Sequence, residues 1–320
     1  MLQPTYRSDG PLYCLLNAGS GHADQDAARA LLEQKLRAAG RQHHWCTISH
    51  PAELERVAQD AITRACEQHG AVVVLGGDGT ISTVAHLALP QACPIGVLPL
   101  GTFNYFCRTH AVPEALEDAV DYLLNAQPQP VQIGLLNERA FTVNASLGLY
   151  PQILEDREGY KQRYGRRRIV AVWSGLVTLL HGIGQLRIQL DSDGVLTHLR
   201  TPTLFVANNR LQLEQAGFAE KDVVESGRMV AVTLKPVGTA SLLWLLLCGA
   251  FGKLGEAEQV DSFSFHRLTV RSSRTRRLRA LKVALDGEVS WMKPPLTFRV
   301  SPQPLYLLKT PATAQENELS

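Results

Sequence analysis

Apolar runs of strand length alternate with helical patterns through the first 125 residues of the chain. Between two of these runs, apolar residues recur at spacings of three and one from Leu54 to Cys66, which is typical of one helix face. Pro51 suits the first turn of that helix and Gly70 its C-terminal cap, and another helix begins at Pro113. The alternation predicts an α/β domain, a parallel sheet with helices on both faces. Its predicted strands are Leu12–Leu16, His44–Ile48, Ala71–Leu75 and Ile95–Leu98.

The pattern changes after the proline-bearing segment Pro128–Pro130. Short alternating or β-branched runs follow, which predict a mainly antiparallel β domain. Two helical interruptions are expected, near 169–181 and 240–247. We therefore predict an α/β domain at 1–127, a β-rich domain at 128–309 and a polar tail at 310–320. The predicted strands of the second domain are Phe141–Leu147, Leu186–Leu190, Thr203–Ala207, Met229–Leu234 and Leu268–Arg271.

Composition excludes several classes of protein. With 320 residues and 45% hydrophobic content, the chain can form two cores, and its net charge of +2 does not suggest a nucleic-acid partner. The six cysteines include no CxxC pair, so a reducing cytoplasm is expected. The N-terminus lacks a signal-peptide core, and the most apolar run, Leu242–Phe251, is about half the roughly 20 residues that a membrane span needs. The oligomeric state stays open.

Three glycines follow the predicted buried strand that ends at Leu75, in the segment Gly76-Gly77-Asp78-Gly79-Thr80. A glycine turn at a helix N-terminus lets backbone N–H groups and the helix dipole bind an anion such as a phosphate. Asp78 could hold a magnesium ion, and Thr80 offers a hydroxyl. Glycines are also common in ordinary strand-to-helix turns. Taken alone, this turn does not separate the two interpretations.

Two further polar turns follow neighbouring strands. Pro99-Leu100-Gly101-Thr102-Phe103-Asn104 comes after the fourth strand, and Asn17-Ala18-Gly19-Ser20-Gly21 comes after the first. Turns at the carboxyl ends of neighbouring parallel strands converge on one crevice, the usual ligand position in open α/β sheets. Thr102 and Asn104 therefore become candidate nucleotide contacts. Together the three turns favour a ligand site over three unrelated turns.

Four segments of the chain resemble the diacylglycerol kinase catalytic family, which includes bacterial lipid kinases and sphingosine kinases. They are GGDGTIS at 76–82, PLGTFN at 99–104, NAGSG at 17–21 and LDGE at 285–288, and their order and spacing match from about residue 10 to about residue 308. The resemblance implies an α/β nucleotide domain and a C-terminal β-sandwich-like domain. It also implies ATP and Mg²⁺ as cofactors and a lipid alcohol as substrate.

The resemblance assigns roles to individual residues. Glu288 matches the proton acceptor of the family and Asp78 belongs to its catalytic centre, although LDGE by local sequence alone is more typical of a hairpin turn. The residues that the resemblance assigns to ATP binding are Asn17, Gly19, Ser20, Gly21, Thr47, Gly76, Gly77, Asp78, Gly79, Thr80, Ile81, Ser82 and Thr102.

The chain departs from the family before the strand at Met229–Leu234. Many bacterial members carry an aspartate there that binds a second, structural magnesium, and this chain has Ser226 in its place. Serine is a poor magnesium ligand, so a metal site near Val223, Ser226 and Arg228 is in doubt. Neighbouring Asp222 and Glu225 are the carboxylates that could compensate.

A lipid substrate requires access to a membrane surface. Two basic clusters could contact anionic headgroups, although a solvated surface explains each of them equally well. We expect a cytoplasmic protein that binds peripherally at the inner membrane face. The clusters consist of Lys161, Arg163, Arg166, Arg167 and Arg168, and of Arg271, Arg274, Arg276, Arg277, Arg279 and Lys282.

Three functions remain in competition. The first is a lipid kinase that transfers the γ-phosphate of ATP to a lipid hydroxyl, in phospholipid metabolism. The second is an NAD kinase, which would share the GGDGT turn. The third is a nucleotide-binding module without catalysis, against which the presence of Asp78 and Glu288 argues.

Overall fold

The computed structural model describes residues 2–17, 22–152, 154, 185–238, 241, 244, 245, 248, 252–272 and 280–310. The strands are β1 Leu12–Asn17, β2 His43–Ile48, β3 Ala71–Gly76, β4 Ile95–Pro99, β5 Gln127–Val131, β6 Gly134–Leu136, β7 Arg139–Phe141, β8 Asn144–Gly148, β9 Leu186–Ser192, β10 Val195–Thr201, β11 Thr203–Ala207, β12 Met229–Leu234, β13 Val260–Phe265, β14 Arg267–Ser272, β15 Leu281–Leu285, β16 Glu288–Met292, β17 Leu296–Val300 and β18 Leu305–Lys309. The helices are α1 His22–Ala38, α2 Leu54–Glu67, α3 Asp78–Ala88, α4 Tyr105–Thr109, α5 Leu116–Leu124 and α6 Arg210–Gln215. Short 3₁₀ helices lie at Pro51–Glu53, Leu89–Gln91, Ala219–Ser226 and Leu254–Glu256.

The chain forms two compact units, Met1–Ile133 with Ser301–Ser320, and Gly134–Val300. The first unit contains one six-stranded sheet in the order β2-β1-β3-β4-β18-β5. Its strands are parallel apart from β5, which pairs antiparallel with β18. β3 is buried along its whole length, as a strand covered on both faces must be. The predicted α/β domain is confirmed.

The second unit contains two antiparallel sheets, β10-β9-β14-β17-β6-β7 and β13-β12-β11-β8-β15-β16. Alternate residues of both sheets meet in one core, as in a sandwich. On its other side, the second sheet packs at β11 and β12 against α6 and the turn at Ala219–Ser226. The predicted antiparallel β domain is confirmed. Large members of the core are Phe141, Phe265, Leu268, Leu296 and Phe298.

The predicted domain boundary differs from the division of the structure. The proline-bearing segment Pro128–Pro130, which the sequence analysis uses as the domain boundary, lies within edge strand β5, Gln127–Val131. Its partner is Leu305–Lys309, which returns from the far end of the chain to lie between β4 and β5. An edge strand tolerates proline because one row of its N–H groups needs no partner. Residues 128–133 and 301–309 therefore belong to the first unit, not to the second.

Two local predictions were wrong, and both were overridden by tertiary contacts. Gly70 does not provide the left-handed cap, since His69 has the positive φ of 55°. A Cβ at Gly70 would lie 2.0 Å from the Pro11 carbonyl oxygen, so close packing explains that glycine. The predicted strand Phe141–Leu147 is broken into β7 and β8 at Thr142 and Val143.

The remaining element predictions are confirmed in part or lie outside the described residues. The helix expected from Pro113 begins at Leu116. Ser241, Trp244, Leu245 and Cys248 are helical, and the rest of the helix predicted at 240–247 lies outside the described residues. The helix predicted at 169–181 lies wholly outside them. Within the described part of the chain, no helix has the length and apolarity to cross a bilayer.

Candidate active site

The glycine turn after β3 has the geometry that the sequence predicts. Gly76 is the last residue of β3, Gly77 is the N-cap of α3, and Asp78 begins the helix. A Cβ at Gly76 would lie 3.0 Å from the Thr80 Cβ, so Thr80 packs back over the end of the strand. The N-terminus of α3 thus follows a half-exposed, glycine-lined turn, an arrangement that suits an anion.

The second glycine turn touches the first. A Cβ at Gly101 would lie 2.6 Å from the Gly77 Cα, and the Leu100 N–H donates to the Gly76 carbonyl at 3.1 Å. The structure leaves no room for a side chain at Gly101, and a Cβ at Gly77 would be a tight contact, 3.1 Å from the Gly101 Cα. The two turns, which the sequence predicts to converge, are therefore in direct backbone contact within the first unit.

Asn104 maintains the conformation of the second turn. Its backbone is left-handed, with φ 49° and ψ 40°. Its side-chain Oδ1 accepts from the Gly101 N–H at 2.9 Å, and its Nδ2 donates to the Gly101 carbonyl at 3.1 Å. Asn104, predicted as a nucleotide contact, uses its amide to close the loop, whereas Thr102 is exposed.

Asp78 links the two turns through its carboxylate. Oδ1 accepts from the Phe106 N–H at 3.0 Å and Oδ2 from the Tyr105 N–H at 3.2 Å, so Asp78 caps the start of α4. Burial raises the pKa of the nearby Cys107 thiol to about 12, and the negative charge of Asp78 acts in the same direction. The sequence did not reveal this capping role, because its partners lie 27 and 28 residues away along the chain.

The other predicted nucleotide contacts that the structure describes lie either at the edge of the sheet or behind the first glycine turn. Asn17 ends β1, and Thr47 is exposed near the end of β2, so both lie at the same carboxyl edge of the parallel sheet as the glycine turns. Gly19, Ser20 and Gly21 lie outside the described residues. Ile81 is fully buried and its N–H donates to the Gly77 carbonyl at 3.1 Å. Ser82 is buried as well, so these last two residues support the turn from behind.

In the second unit, LDGE forms a two-residue hairpin turn between β15 and β16. Asp286 and Gly287 both have positive φ, 45° and 92°, and Leu285 pairs with Glu288. This is the geometry of a type I′ turn, for which Asp-Gly is a favoured sequence. Glu288 is therefore the first residue of β16, and its side chain is exposed. The local prediction of a hairpin is confirmed, and it does not conflict with a catalytic role.

Asp286 holds the hairpin turn against a distant loop. Oδ1 accepts from the N–H groups of Val143 and Asn144 at 2.8 and 2.9 Å. Oδ2 accepts from the N–H and hydroxyl of Thr142 at 2.6 and 3.0 Å. The four bonds explain why β7 and β8 are separate, since these N–H groups bind a carboxylate instead of a neighbouring strand. Asp286 is thus a positioning residue that the sequence analysis did not single out.

Ser226 occupies the position where many bacterial members of the family carry a metal-binding aspartate. Its hydroxyl donates to the Val223 carbonyl at 2.7 Å. Asp222 pairs with Arg210 at 3.1 Å, so it does not supply a spare carboxylate. Among the described residues no cluster of three or more acidic, histidine or cysteine side chains could hold a metal. The weakening of this metal site by Ser226 stays a prediction.

The basic clusters lie mostly outside the described residues. In the second cluster, Arg271 lies 4.0 Å from Asp191, and Lys282 lies 5.1 Å from the centre of the Trp291 ring. The first cluster and residues 274–279 are not described. The membrane role predicted for these clusters stays a prediction.

Comparison with known proteins gives a consistent result. Residues 11–136 match the family model of the diacylglycerol kinase catalytic domain. The "Probable lipid kinase YegS-like" of Yersinia enterocolitica is 25% identical over 57% of this chain and 59% of its own length. The protein of the same name from Cronobacter sakazakii is 29% identical over 35% of this chain and 36% of its length. Each alignment thus spans less than two thirds of the relative.

A solved structure shares the fold of this chain over most of its length. The crystal structure of a diacylglycerol kinase from Bacillus anthracis str. Sterne superposes with a TM-score of 0.67 at 16% identity, covering 95% of this chain and 98% of that protein. At this identity the likeness concerns the fold alone.

Proposed function

We propose that this chain transfers the γ-phosphate of ATP to the hydroxyl of a lipid, and the match of residues 11–136 to the diacylglycerol kinase catalytic domain is the premise of this proposal. The observation that carries the proposal is the backbone contact between Gly77 and Gly101. It brings two glycine turns together beside the N-terminus of α3, at the sheet edge where Asn17 and Thr47 also lie. Backbone N–H groups at such an edge suit the phosphates of a nucleotide.

Asp78 fits a role beside a nucleotide-bound magnesium ion. A carboxylate has about four acceptor directions, and two N–H groups occupy two of those of Asp78. Magnesium takes one or two protein carboxylates and completes its shell with phosphate oxygens and water, so a larger acidic cluster is not required. When bound, the ion would neutralise charge on the phosphoryl group being transferred. Asp78 would hold it, and the cap on α4 would keep Asp78 in place.

Glu288 would accept the proton of the attacking lipid hydroxyl. Its carboxylate is exposed at the start of β16, and the turn that precedes it is held by the bonds of Asp286. A general base must be held in position and remain accessible. The hydrogen bonds of Asp286 hold the turn before Glu288, and the exposed side chain of Glu288 is accessible. Most of the rate enhancement would still come from positioning and charge neutralisation.

The relatives described above are named as lipid kinases, so the NAD kinase alternative has no support from them. The lipid substrate is open among diacylglycerol, monoacylglycerol, sphingoid and isoprenoid alcohols. A lipid substrate implies work at the cytoplasmic surface of a membrane, and this peripheral location is part of the proposal.

The test incubates the purified chain and magnesium with γ-labelled ATP and each lipid class in uncharged detergent micelles, with NAD in a parallel reaction. We expect label in one lipid product, which mass spectrometry identifies. Label in NADP would instead establish the NAD kinase. Saturable ATP binding without transfer to any acceptor would support a nucleotide-binding module and refute the proposed function.

A further inference from the structure

The sheet β10-β9-β14-β17-β6-β7 of the second unit carries arginines on the side that faces away from its core. Core residues Ile188, Leu190, Leu268 and Val270 alternate along β9 and β14 with residues that point the other way. The strand registers place five arginines on that outward side, and all but Arg299 are exposed. We call this surface the arginine face: Arg187, Arg200, Arg267, Arg271 and Arg299.

The arginines of this face include two like-charged pairs directly opposite one another. Arg200 on β10 pairs in register with Arg187 on β9, and Arg267 on β14 pairs with Arg299 on β17. Like charges directly opposite each other on neighbouring strands destabilise a sheet. An anionic partner across the surface would relieve this repulsion, because its negative charges would lie close to both arginines of each pair.

Few carboxylates of the described residues offset the charge of this face. Asp191 lies 4.0 Å from Arg271, and Glu138 lies 3.2 Å from Arg299. A third carboxylate, Asp193 in the β9–β10 turn, accepts from the N–H groups of His266 and Arg267. The face therefore keeps an excess of positive charge, although the whole chain has a net charge of only +2.

Next to the arginines, the tip of the β9–β10 hairpin is apolar. Asp193 and Gly194 form the turn, both with positive φ, and Val195 and Leu196 follow it. Their exposed fractions are 66% and 59%, which is unusual for two adjacent aliphatic side chains. Leu196 lies opposite Asp191 and so on the arginine side of the sheet. Apolar tips beside basic side chains are typical of surfaces that enter the headgroup region of a bilayer.

We propose that the arginine face docks the protein on an anionic lipid bilayer, with Leu196 entering the interface. The choice of a bilayer over other anionic partners rests on the proposed function, since a lipid kinase must reach its substrate there. Four exposed arginines supply charge to the headgroups, and the hairpin tip supplies apolar area. Nucleic acid and acidic proteins offer the same charge, but neither accounts for the exposed aliphatic pair.

The test measures sedimentation of the full chain with vesicles of phosphatidylcholine alone or mixed with phosphatidylglycerol, without ATP. We expect binding to the mixed vesicles only, weakened by added salt. The double variant Arg187→Gln and Arg200→Gln should bind about 10- to 30-fold more weakly, since each basic residue near the surface contributes about a factor of five. The wild type should keep some vesicle binding at high salt through Leu196, and we expect Leu196→Ser to abolish this residual binding.

The matched control is Arg56→Gln with Arg64→Gln, which removes two exposed charges from α2 in the first unit. We expect it to bind as the wild type does. Equal weakening by both double variants, or wild-type binding to short RNA but not to mixed vesicles, would overturn the proposal. Because binding is measured without turnover, it is independent of the proposed function. Vesicle binding without kinase activity in micelles would refute only the kinase.

Discussion

Asp78 and Asp286 both lie beside glycines in turns, and both bind backbone N–H groups far away in the chain. They differ in the number of hydrogen bonds that each carboxylate accepts. Asp286 accepts four hydrogen bonds, two on each oxygen, which fills the capacity of a carboxylate. Asp78 accepts two, one on each oxygen. The residue with all acceptor directions occupied serves the fold, whereas Asp78 keeps the acceptor directions that its proposed role beside magnesium requires.

The surroundings of the two aspartates support this difference. Asp78 begins an 11-residue helix at a half-exposed turn that meets a second glycine turn. Asp286 faces a loop whose side chains Thr142 and Asn144 are buried. Removing Asp286 therefore takes the acceptor from four donors of buried residues, whereas removing Asp78 takes it from two donors, one of which belongs to half-exposed Tyr105. The four predictions below test that contrast.

The largest effect is expected for Asp286→Ala. It removes four hydrogen bonds to a charged acceptor and should lower the free energy of unfolding by about 4 kcal/mol. Urea denaturation measures the change. The control is Asp222→Ala in the same unit, which removes an exposed ion pair with Arg210 and should change stability by less than about 1 kcal/mol. Similar losses of stability in the two variants would contradict the role of Asp286 in holding the hairpin turn against residues 142–144.

Asp78→Ala should reduce turnover by about 10³-fold, as loss of a key electrostatic group does, and lower stability by about 2 kcal/mol. Asp78→Asn separates the two roles, because its amide oxygen can still accept an N–H while the charge is lost. We expect near wild-type urea midpoints with turnover as low as in the alanine variant. An active, stable asparagine variant would show that Asp78 acts only as a cap.

Glu288→Gln tests the exposed residue that the Asp286 turn positions. It should slow the chemical step by about 10²-fold, the lower end of the usual contribution of a general base, because proton transfer is late in a loose transition state. ATP affinity and the urea midpoint should stay unchanged. Single-turnover rates at saturating ATP and lipid measure the step. A rate within about twofold of wild type would leave Glu288 as a hairpin residue only.

The smallest effect is expected at Asn104, which supports the Asp78 turn indirectly. Asn104→Ala loses two hydrogen bonds and keeps a left-handed backbone, so it should cost about 2 kcal/mol. Asn104→Gly loses the same bonds without the conformational cost and should be about 1 kcal/mol more stable than the alanine variant. Urea midpoints compare the two. Equal stability would mean that the backbone conformation of the turn does not matter.

Prediction from sequence succeeded where a structure depends on neighbours along the chain. The turn after β3, the edge that it shares with Asn17 and Thr47, and the Asp286-Gly287 hairpin were all visible in short segments. Asn104 is a predicted nucleotide contact, and the sequence did not reveal that its amide hydrogen-bonds Gly101, because a pattern does not show which partner a side chain selects. Ile81 shows the same limit, since the GGDGTIS motif does not reveal that the Ile81 side chain is fully buried.

By itself, the sequence determined strands β1 to β4, helices α2, α3 and α5, the glycine turns and the Asp-Gly hairpin, because periodicity and turn chemistry act over a few residues. Only the tertiary structure decided that Gln127–Val131 is a strand, since its partner Leu305–Lys309 lies at the far end of the chain. It likewise decided that Asp286 divides Phe141–Leu147 and that Asp78 caps α4. Each of these depends on a hydrogen-bond partner that folding brings close, and no local pattern encodes the identity of such a partner.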